Sequence, residues 1–431
     1  SRLGGVCLNV GCIPSKTLLH TAGVIEEASR AAAFGLKYTA PDIDLDKLRS
    51  HKDEIIGKLT GGLDQLCKAR KVNRITGRGV FQTPTSILVT GEDGESVVNG
   101  KDVIIATGSS AASLPNLPDD PRIWDSTAAL QLRSIPKRLL IIGAGIIGLE
   151  MAQVYSALGS EITIVEMLDQ IIPPADKDLV QPLYQELKKK YRIFFAAKVT
   201  GLTAKANAIE VSFEGIPDQK YGEFDAVLVA IGRRPNTQGL GLEAIGLAVT
   251  THRFIEVDER QQTAVKHVYA IGDVVGEPLL AHKASHQGKV AAEVIAGRKS
   301  AFTPMTIPSV AYTIPEVAWM GLTEKAAKEQ GIDYRKGKFN WSASGRALSA
   351  GAGIGVSKVL FDPNTGRILG AGICGQNAGE LIHEAVLALE MGADAEDISK
   401  TVHAHPTLAE TFAFAAEMVD GSITDALPLK K

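Results

Sequence analysis

The sequence predicts an α/β protein made of two Rossmann-like nucleotide-binding domains and a C-terminal α+β domain. Three observations carry that prediction. A glycine fingerprint, Gly143-Ala144-Gly145-Ile146-Ile147-Gly148, stands between an apolar strand and a helix. Two apolar strand ends read alike 124 residues apart, Val103-Ile104-Ile105-Ala106-Thr107-Gly108 and Val227-Leu228-Val229-Ala230-Ile231-Gly232. From Ile307 the pattern changes to strands and helices of another kind. At 431 residues the chain is too long for one ordinary core. A net charge of −3 without any lysine or arginine block argues against a nucleic-acid partner. The apolar stretch Leu139 to Ala152 is broken by three glycines and Glu150, so it is no membrane span.

The first element is a helix from about Ile13, with Pro14 in its first turn, where a missing N–H costs nothing. Leu18, Leu19, Ala22, Ile25 and Ala28 follow at helical spacing, and Gly35 marks the end. Cys7 and Cys12 precede it in the run GGVCLNVGCIPSK. Cys12 falls at the positive end of the helix dipole, which favours thiolate, and Gly11 lets the chain bring Cys7 back within bonding distance. A bridge closing so short a loop stabilises by only about 2 kcal/mol. The pair therefore reads as a reactive dithiol rather than a staple. Cys67 and Cys374 are isolated and read as small buried residues. Four cysteines in so long a chain make no disulfide framework, which fits a reducing cytoplasm with one redox-active exception.

A second helix is predicted from about Asp44 to Lys71, then short strands from Asn73 to Val98 with Gly77 and Gly79 at the turn. Pro115, Pro118 and Pro121 mark a linker. The strand Arg138 to Ile142 then runs into the fingerprint and its helix, and a second strand, Glu161 to Val165, ends at Glu166. That acid lies 23 residues beyond Gly143, close to the spacing of a ribose-binding carboxylate. The glycines admit backbone close to a pyrophosphate, whose charge meets the helix N-terminus. Glu166 would accept both ribose hydroxyls and repel a 2′-phosphate; Met167, Leu168 and Asp169 bring no arginine, so NAD is favoured over NADP.

If the repeat is a duplicated nucleotide fold, the first unit should own a fingerprint of its own. The offset from Gly143 lands inside the helix after Cys12, where none exists. The expectation is that its glycine loop precedes Ser1 and that the dithiol helix is an insertion. Ser1-Arg2-Leu3 resembles neither a signal peptide nor a natural start.

Later segments are a buried strand from Val268 ending at Gly272-Asp273, and a helix from Lys283 to Gly297. The C-terminal strands are placed at Val310–Thr313, Val356–Phe361 and Ile368–Ile373, the helices at Thr323–Gln330, Ala378–Met391 and Thr407–Val419. Near the end stands His403-Ala404-His405-Pro406-Thr407-Leu408-Ala409-Glu410. Dithiol–disulfide exchange needs a base that takes a proton from the attacking thiol and returns it to the leaving one, and imidazole suits that near neutral pH. Glu410 could hold the ring; Thr407-x-x-Glu410 equally fits a capping box. His403 and His405 have no third ligand nearby, so no metal is expected.

The run GGVCLNVGCIPSKTLLH resembles the redox-active stretch of the flavin-dependent pyridine nucleotide–disulfide oxidoreductases, and the resemblance covers essentially the whole chain. It implies that Cys7 exchanges with the substrate disulfide, that Cys12 lies against the flavin, and that Lys16 stands near the reactive part of the isoalloxazine. It implies FAD contacts at Gly79, Thr107, Gly108, Ser109, Asp273 (to the ribityl chain), Leu279, Leu280, Ala281 and His282. It adds Ile147, Glu150, Val199 and Gly232 to Gly143, Gly145, Gly148 and Glu166 at the NAD site. It makes His405 the base and Glu410 its partner, with His403 structural. Four segments follow: an FAD-binding domain (1–122), an NAD-binding domain (123–253), a second part of the FAD-binding domain (254–306) and a dimerisation domain (307–431). The nearest branch oxidises protein-bound dihydrolipoamide with NAD, which implies a homodimer whose base comes from the other subunit. The implied partners are the lipoyl domains and acyltransferase core of 2-oxo acid dehydrogenase complexes, or the glycine cleavage system. Glutathione-type members favour NADP, and mercuric reductases carry a C-terminal cysteine pair that is missing after Cys374. The family's flavin domain opens with a strand, glycine loop and helix upstream of the cysteines, which the chain as given lacks; a non-catalytic structural subunit is therefore the remaining alternative.

Overall fold

A computed structural model describes residues 2–218 and 220–427; Ser1 lies outside them. The chain divides into two units, one of Ser1–Pro14, Asp46–Ser113 and Ile231–Thr303, the other of Ser15–Leu45, Leu114–Ala230 and Pro304–Lys431.

In the first unit the short helix Gly5–Val10 carries Cys7, and the long helix Leu45–Ala69 follows the predicted one closely. Strands Arg78–Thr83, Ser86–Gly91 and Gly94–Asn99 form an antiparallel meander. Gly79 is not a turn residue: it lies within the first strand opposite Val89. Val103–Ile105 pairs in parallel with Val268–Ala270, and Ser109–Ala111 pairs antiparallel with Arg233–Pro235. The two halves of the sequence repeat thus meet directly, since Ser109 and Arg233 occupy equivalent places in it. Residues Ile231–Thr303 belong to this unit. The helix Ala281–Ile295 completes the unit.

In the second unit the dithiol helix runs from Cys12 to Arg30, of which Ser15 onward belongs here. It buries Leu18, Leu19 and Ala22, and a 3₁₀ turn (Ala31–Phe34) ends at Gly35 in the left-handed conformation. A parallel sheet has the order Ile123–Trp124, Ala226–Val229, Arg138–Ile142, Glu161–Val165, Arg192–Phe194. Its central strands are buried on both faces, which is why they read as unbroken apolar runs rather than alternations. The C-terminal sheet is antiparallel, in the order Ser309–Ala311, Glu316–Gly321, Ile368–Gly375, Val356–Phe361, Arg335–Asn340. Two of these strands are not apparent in the sequence: Glu316–Gly321 directly follows Pro315 and ends in glycine, and two lysines and Gly337 interrupt Arg335–Asn340. Gly337 lets the last strand touch the helix Glu410–Asp420 so closely that a Cβ would lie 1.8 Å from the Ala415 carbonyl oxygen. Cys374 is buried and its thiol is pushed up to about 12 by desolvation; Cys67, predicted buried, is only half-buried.

Lys358 is a deeply buried charge of this unit. Its ammonium donates to Asp176 (2.7 Å), Asp178 (2.7 Å) and Glu324 (2.8 Å). Asp176 also accepts the backbone N–H groups of Glu324 and Lys325, which open a helix of the C-terminal segment. Burial pushes Asp178 and Glu324 up, but the bonds and charge of Lys358 outweigh it and leave both carboxyls below their ordinary range. The three carboxylates converge as metal ligands would, yet the lysine bonds to all of them. Lys358→Met strands them around an apolar chain and should cost on the order of 3–5 kcal/mol in urea unfolding near neutral pH. The gap to wild type should narrow in acid, where protonation removes both the native attraction and the repulsion in the variant.

Candidate active site

Cys7 and Cys12 form a disulfide with their Cα atoms 4.6 Å apart. Gly11 joins the two helices that carry them, and a Cβ there would press on the Val6 carbonyl at 2.9 Å. Both cysteines are partly exposed, and Cys12 is the first residue of its helix, at the positive end of the helix dipole, which favours thiolate.

Lys16 lies one turn further along the same helix. Its ammonium pairs with both oxygens of Glu150 at 3.0 Å and stands 4.4 Å from the centre of the Tyr312 ring. Glu150, predicted among the NAD contacts, is buried and also accepts from the Ser15 hydroxyl (2.7 Å) and the Tyr312 backbone N–H (3.1 Å). Its carboxylate is thus committed to the dithiol helix and to the C-terminal segment. The sequence offered no signal for Tyr312.

The fingerprint is built as predicted. Gly145 caps the helix Ile146–Ala157 without any side-chain bond, leaving its first N–H groups available to an anion. A Cβ on Gly148 would lie 2.2 Å from the Gly143 carbonyl oxygen, so only glycine permits this approach of helix to loop. Ile147 is half-buried in the first turn. Glu166 accepts the Ala144 N–H at 2.7 Å and the Leu168 N–H at 2.8 Å, so the candidate ribose acceptor also shapes the loop. Each carboxylate oxygen keeps a further lone pair for a hydroxyl. The side chain of Val199 is buried in the core with Leu140, Ile142 and Val165, so its backbone is the part that could meet a nucleotide.

In the other unit, Asp273 is hydrogen-bonded to the Ser109 hydroxyl. Arg233 donates to the same hydroxyl (2.7 Å) and to the Ser109 carbonyl (2.6 Å). Asn236 binds Thr107 in both directions, accepting from its hydroxyl at 2.7 Å and donating to its carbonyl at 3.0 Å. Asn236 also donates its N–H to the Gly108 carbonyl, and Gly232 accepts the Ala112 N–H, both at 2.9 Å. Arg233 and Asn236 were missed in the sequence; the run Gly232-Arg233-Arg234-Pro235-Asn236 directly after the repeat was the available signal. Leu279 is half-buried, Leu280 is the N-cap of the next helix, and Ala281 and His282 are its first residues, with no side-chain cap on its N–H groups.

His405 is 81% exposed, and its Nδ1 lies 2.9 Å from Glu410 Oε1. A carboxylate only accepts, so Nδ1 carries the proton and Nε2 is the free base. Glu410 Oε2 accepts the Thr407 N–H at 2.6 Å, while the Thr407 hydroxyl is buried without a partner. Half of the capping box exists, and the same carboxylate also holds the imidazole. The helix starts at Glu410 rather than Thr407. His403 is tied by Nε2 to Glu384 (2.6 Å) and by Nδ1 to the Thr401 carbonyl (2.8 Å).

Residues 2–288 match the pyridine nucleotide-disulphide oxidoreductase family, and residues 307–416 match its dimerisation domain. The chain belongs to the pyridine nucleotide-disulphide oxidoreductases. It is 53% identical to the dihydrolipoyl dehydrogenase of Vibrio cholerae over 99% of this chain and 90% of that one. With that of Haemophilus influenzae it shares 52% identity over 99% and 89%. LpdA from Mycobacterium tuberculosis superposes with a TM-score of 0.88 at 26% identity, covering 97% of this chain and 92% of that one. The cofactors of this oxidoreductase are FAD and NAD. The uncapped helix starts and the Gly148 approach fit a pyrophosphate, and the Ser109–Asp273–Arg233 group fits a polyhydroxyl chain. Among the described residues no helix is long and apolar enough to cross a membrane.

Two measurements test this geometry. Glu150→Ala removes the acceptor of three donors on two separate elements and should lose about 3 kcal/mol of stability in chemical denaturation, most of it restored by Glu150→Gln. The Glu384 bond raises the pKa of His403 above its ordinary 6.5, against the opposing effect of burial. That stabilisation is complete below pH 6.5 and is lost as pH rises through the folded value. Melting curves of wild type and Glu384→Gln should differ most below pH 6.5 and converge as pH rises through the folded value.

Proposed function

We propose that this oxidoreductase oxidises protein-bound dihydrolipoyl groups to the lipoyl disulfide and delivers the electrons to NAD. The Cys7–Cys12 disulfide at the head of the dithiol helix is the observation that carries the reading, and the dihydrolipoyl dehydrogenases that align with nearly the whole chain support its substrate.

The exchange follows from the chain's own groups. His405 Nε2 takes the proton of one substrate thiol, and that sulfur attacks Cys7, releasing Cys12 as thiolate. The helix N-terminus stabilises that charge. The second substrate thiol then attacks the mixed disulfide and the lipoyl ring closes; Cys7 leaves with the proton held on His405, and His405 takes the proton of the attacking thiol, so that the Cys12 thiolate is left opposite an imidazolium. Glu410 keeps Nδ1 protonated and balances the imidazolium. Thr107, Ser109, Asp273 and the 279–282 helix entry would hold FAD, while Gly143, Gly145, Gly148 and Glu166 would hold NAD. FAD held there would supply the two-electron acceptor between the reduced Cys7–Cys12 pair and NAD.

The C-terminal match and the exposed side chains of Leu387, Met391 and Val402 support a homodimer, in which His405 of one subunit serves the dithiol of the other. The lipoyl domains and acyltransferase core of a 2-oxo acid dehydrogenase complex are then the partners, in the cytoplasm.

Turnover of dihydrolipoamide with NAD should exceed that of glutathione disulfide with NADPH by orders of magnitude, and Cys7→Ser should abolish it. His405→Gln should slow it by about 10²–10⁴-fold while NADH still bleaches the flavin. Equal loss of both half-reactions in His405→Gln would contradict the assignment of the base.

A further inference from the structure

The segment that carries Asp273 is a 3₁₀ turn, Gly272–Val275, closed by Gly276, and two buried side chains of the following helix hold its ends. Gln287 accepts the Gly272 N–H at 2.8 Å. Lys283 donates its ammonium to the Gly276 carbonyl. The two lie four residues apart, so they project from one face of the Ala281–Ile295 helix. Gly276, at φ 135° and ψ 178°, has a backbone open essentially to glycine alone, so no regular structure fixes the direction of its carbonyl.

Lys283 is costly where it stands. It is 4% exposed, and burial lowers its pKa against the pull of Asp273 and Glu277. It also lies in the first turn of a helix, where the dipole opposes a cation. Methionine would fill the space with neither cost. What lysine adds is a donor for Gly276 and a positive charge beside the Asp273 turn.

We propose that Lys283 and Gln287 are positioning residues for the flavin: together they latch the Gly272–Gly276 turn that presents Asp273, and the Lys283 charge favours the reduced, anionic flavin over the oxidised one. The proposal rests on the FAD site described above.

The test uses the holoenzyme and the variants Lys283→Met, Gln287→Met and Asp273→Ala. Flavin release in mild chaotrope is followed by fluorescence, and the midpoint potential of the bound flavin by equilibration with a reference dye. Both latch variants should release FAD roughly tenfold faster, the effect of losing one buried hydrogen bond. Only Lys283→Met should also shift the potential to more negative values, since Gln287→Met removes no charge. Release and potential unchanged in Lys283→Met would overturn the proposal. If that variant does not fold, unchanged release in Gln287→Met overturns the latch, and a potential unchanged in Lys283→Gln overturns the charge effect. Rapid release in Asp273→Ala alone sinks the latch but keeps the site; tight FAD binding in Asp273→Ala would sink the site itself.

Discussion

One buried carboxylate ties together the parts of the larger unit that matter for chemistry. Glu150 projects from the helix that opens on the nucleotide fingerprint and accepts from Ser15 and Lys16 on the dithiol helix and from the backbone of Tyr312. A buried carboxylate with fewer partners would be driven to protonate or to drag in water. With the ammonium, the hydroxyl and the backbone N–H all present, its charge is compensated and three elements distant in sequence are held in one arrangement. The dithiol helix is continuous from Cys12 through Lys16, so its orientation is set by a group 134 residues away.

The same economy recurs elsewhere. Glu166 combines a candidate ribose contact with two backbone bonds that shape the fingerprint loop. Glu410 holds both its helix entry and the imidazole of His405, the candidate base. Lys358 gathers three carboxylates and, through Asp176, the start of a helix. In each case an ionised group satisfies backbone donors or several counter-charges at once, which is how a buried charge becomes tolerable. Functional carboxylates are thereby fixed by the structure that they help to build.

The repeat has a consequence of its own. Its two strand ends do not merely resemble one another: Ser109–Ala111 pairs with Arg233–Pro235, and Arg233 and Asn236 clamp Thr107 to Ser109. The second copy's extension supports the strand end of the first copy, and residues 231–303 belong with 46–113 in one unit.

Sequence alone determined what local chemistry determines. The Cys7–Cys12 dithiol, the Gly143 to Gly148 fingerprint with Glu166, and the His405–Glu410 pair were legible because spacing along one strand, turn or helix already brings each set together. The parallel strands were legible because burial on both faces leaves an unbroken apolar run. Strands Glu316–Gly321 and Arg335–Asn340 were not, since their lysines, glycines and tryptophan take their places from cross-strand neighbours. The roles of Glu150, Arg233, Lys283 and Lys358 lay beyond it as well. Each is decided by a partner elsewhere in the fold, and a charged side chain gives no sign along the chain of whether it will be buried. Only the tertiary structure, which sets the dielectric and the counter-charge around such a group, makes that choice.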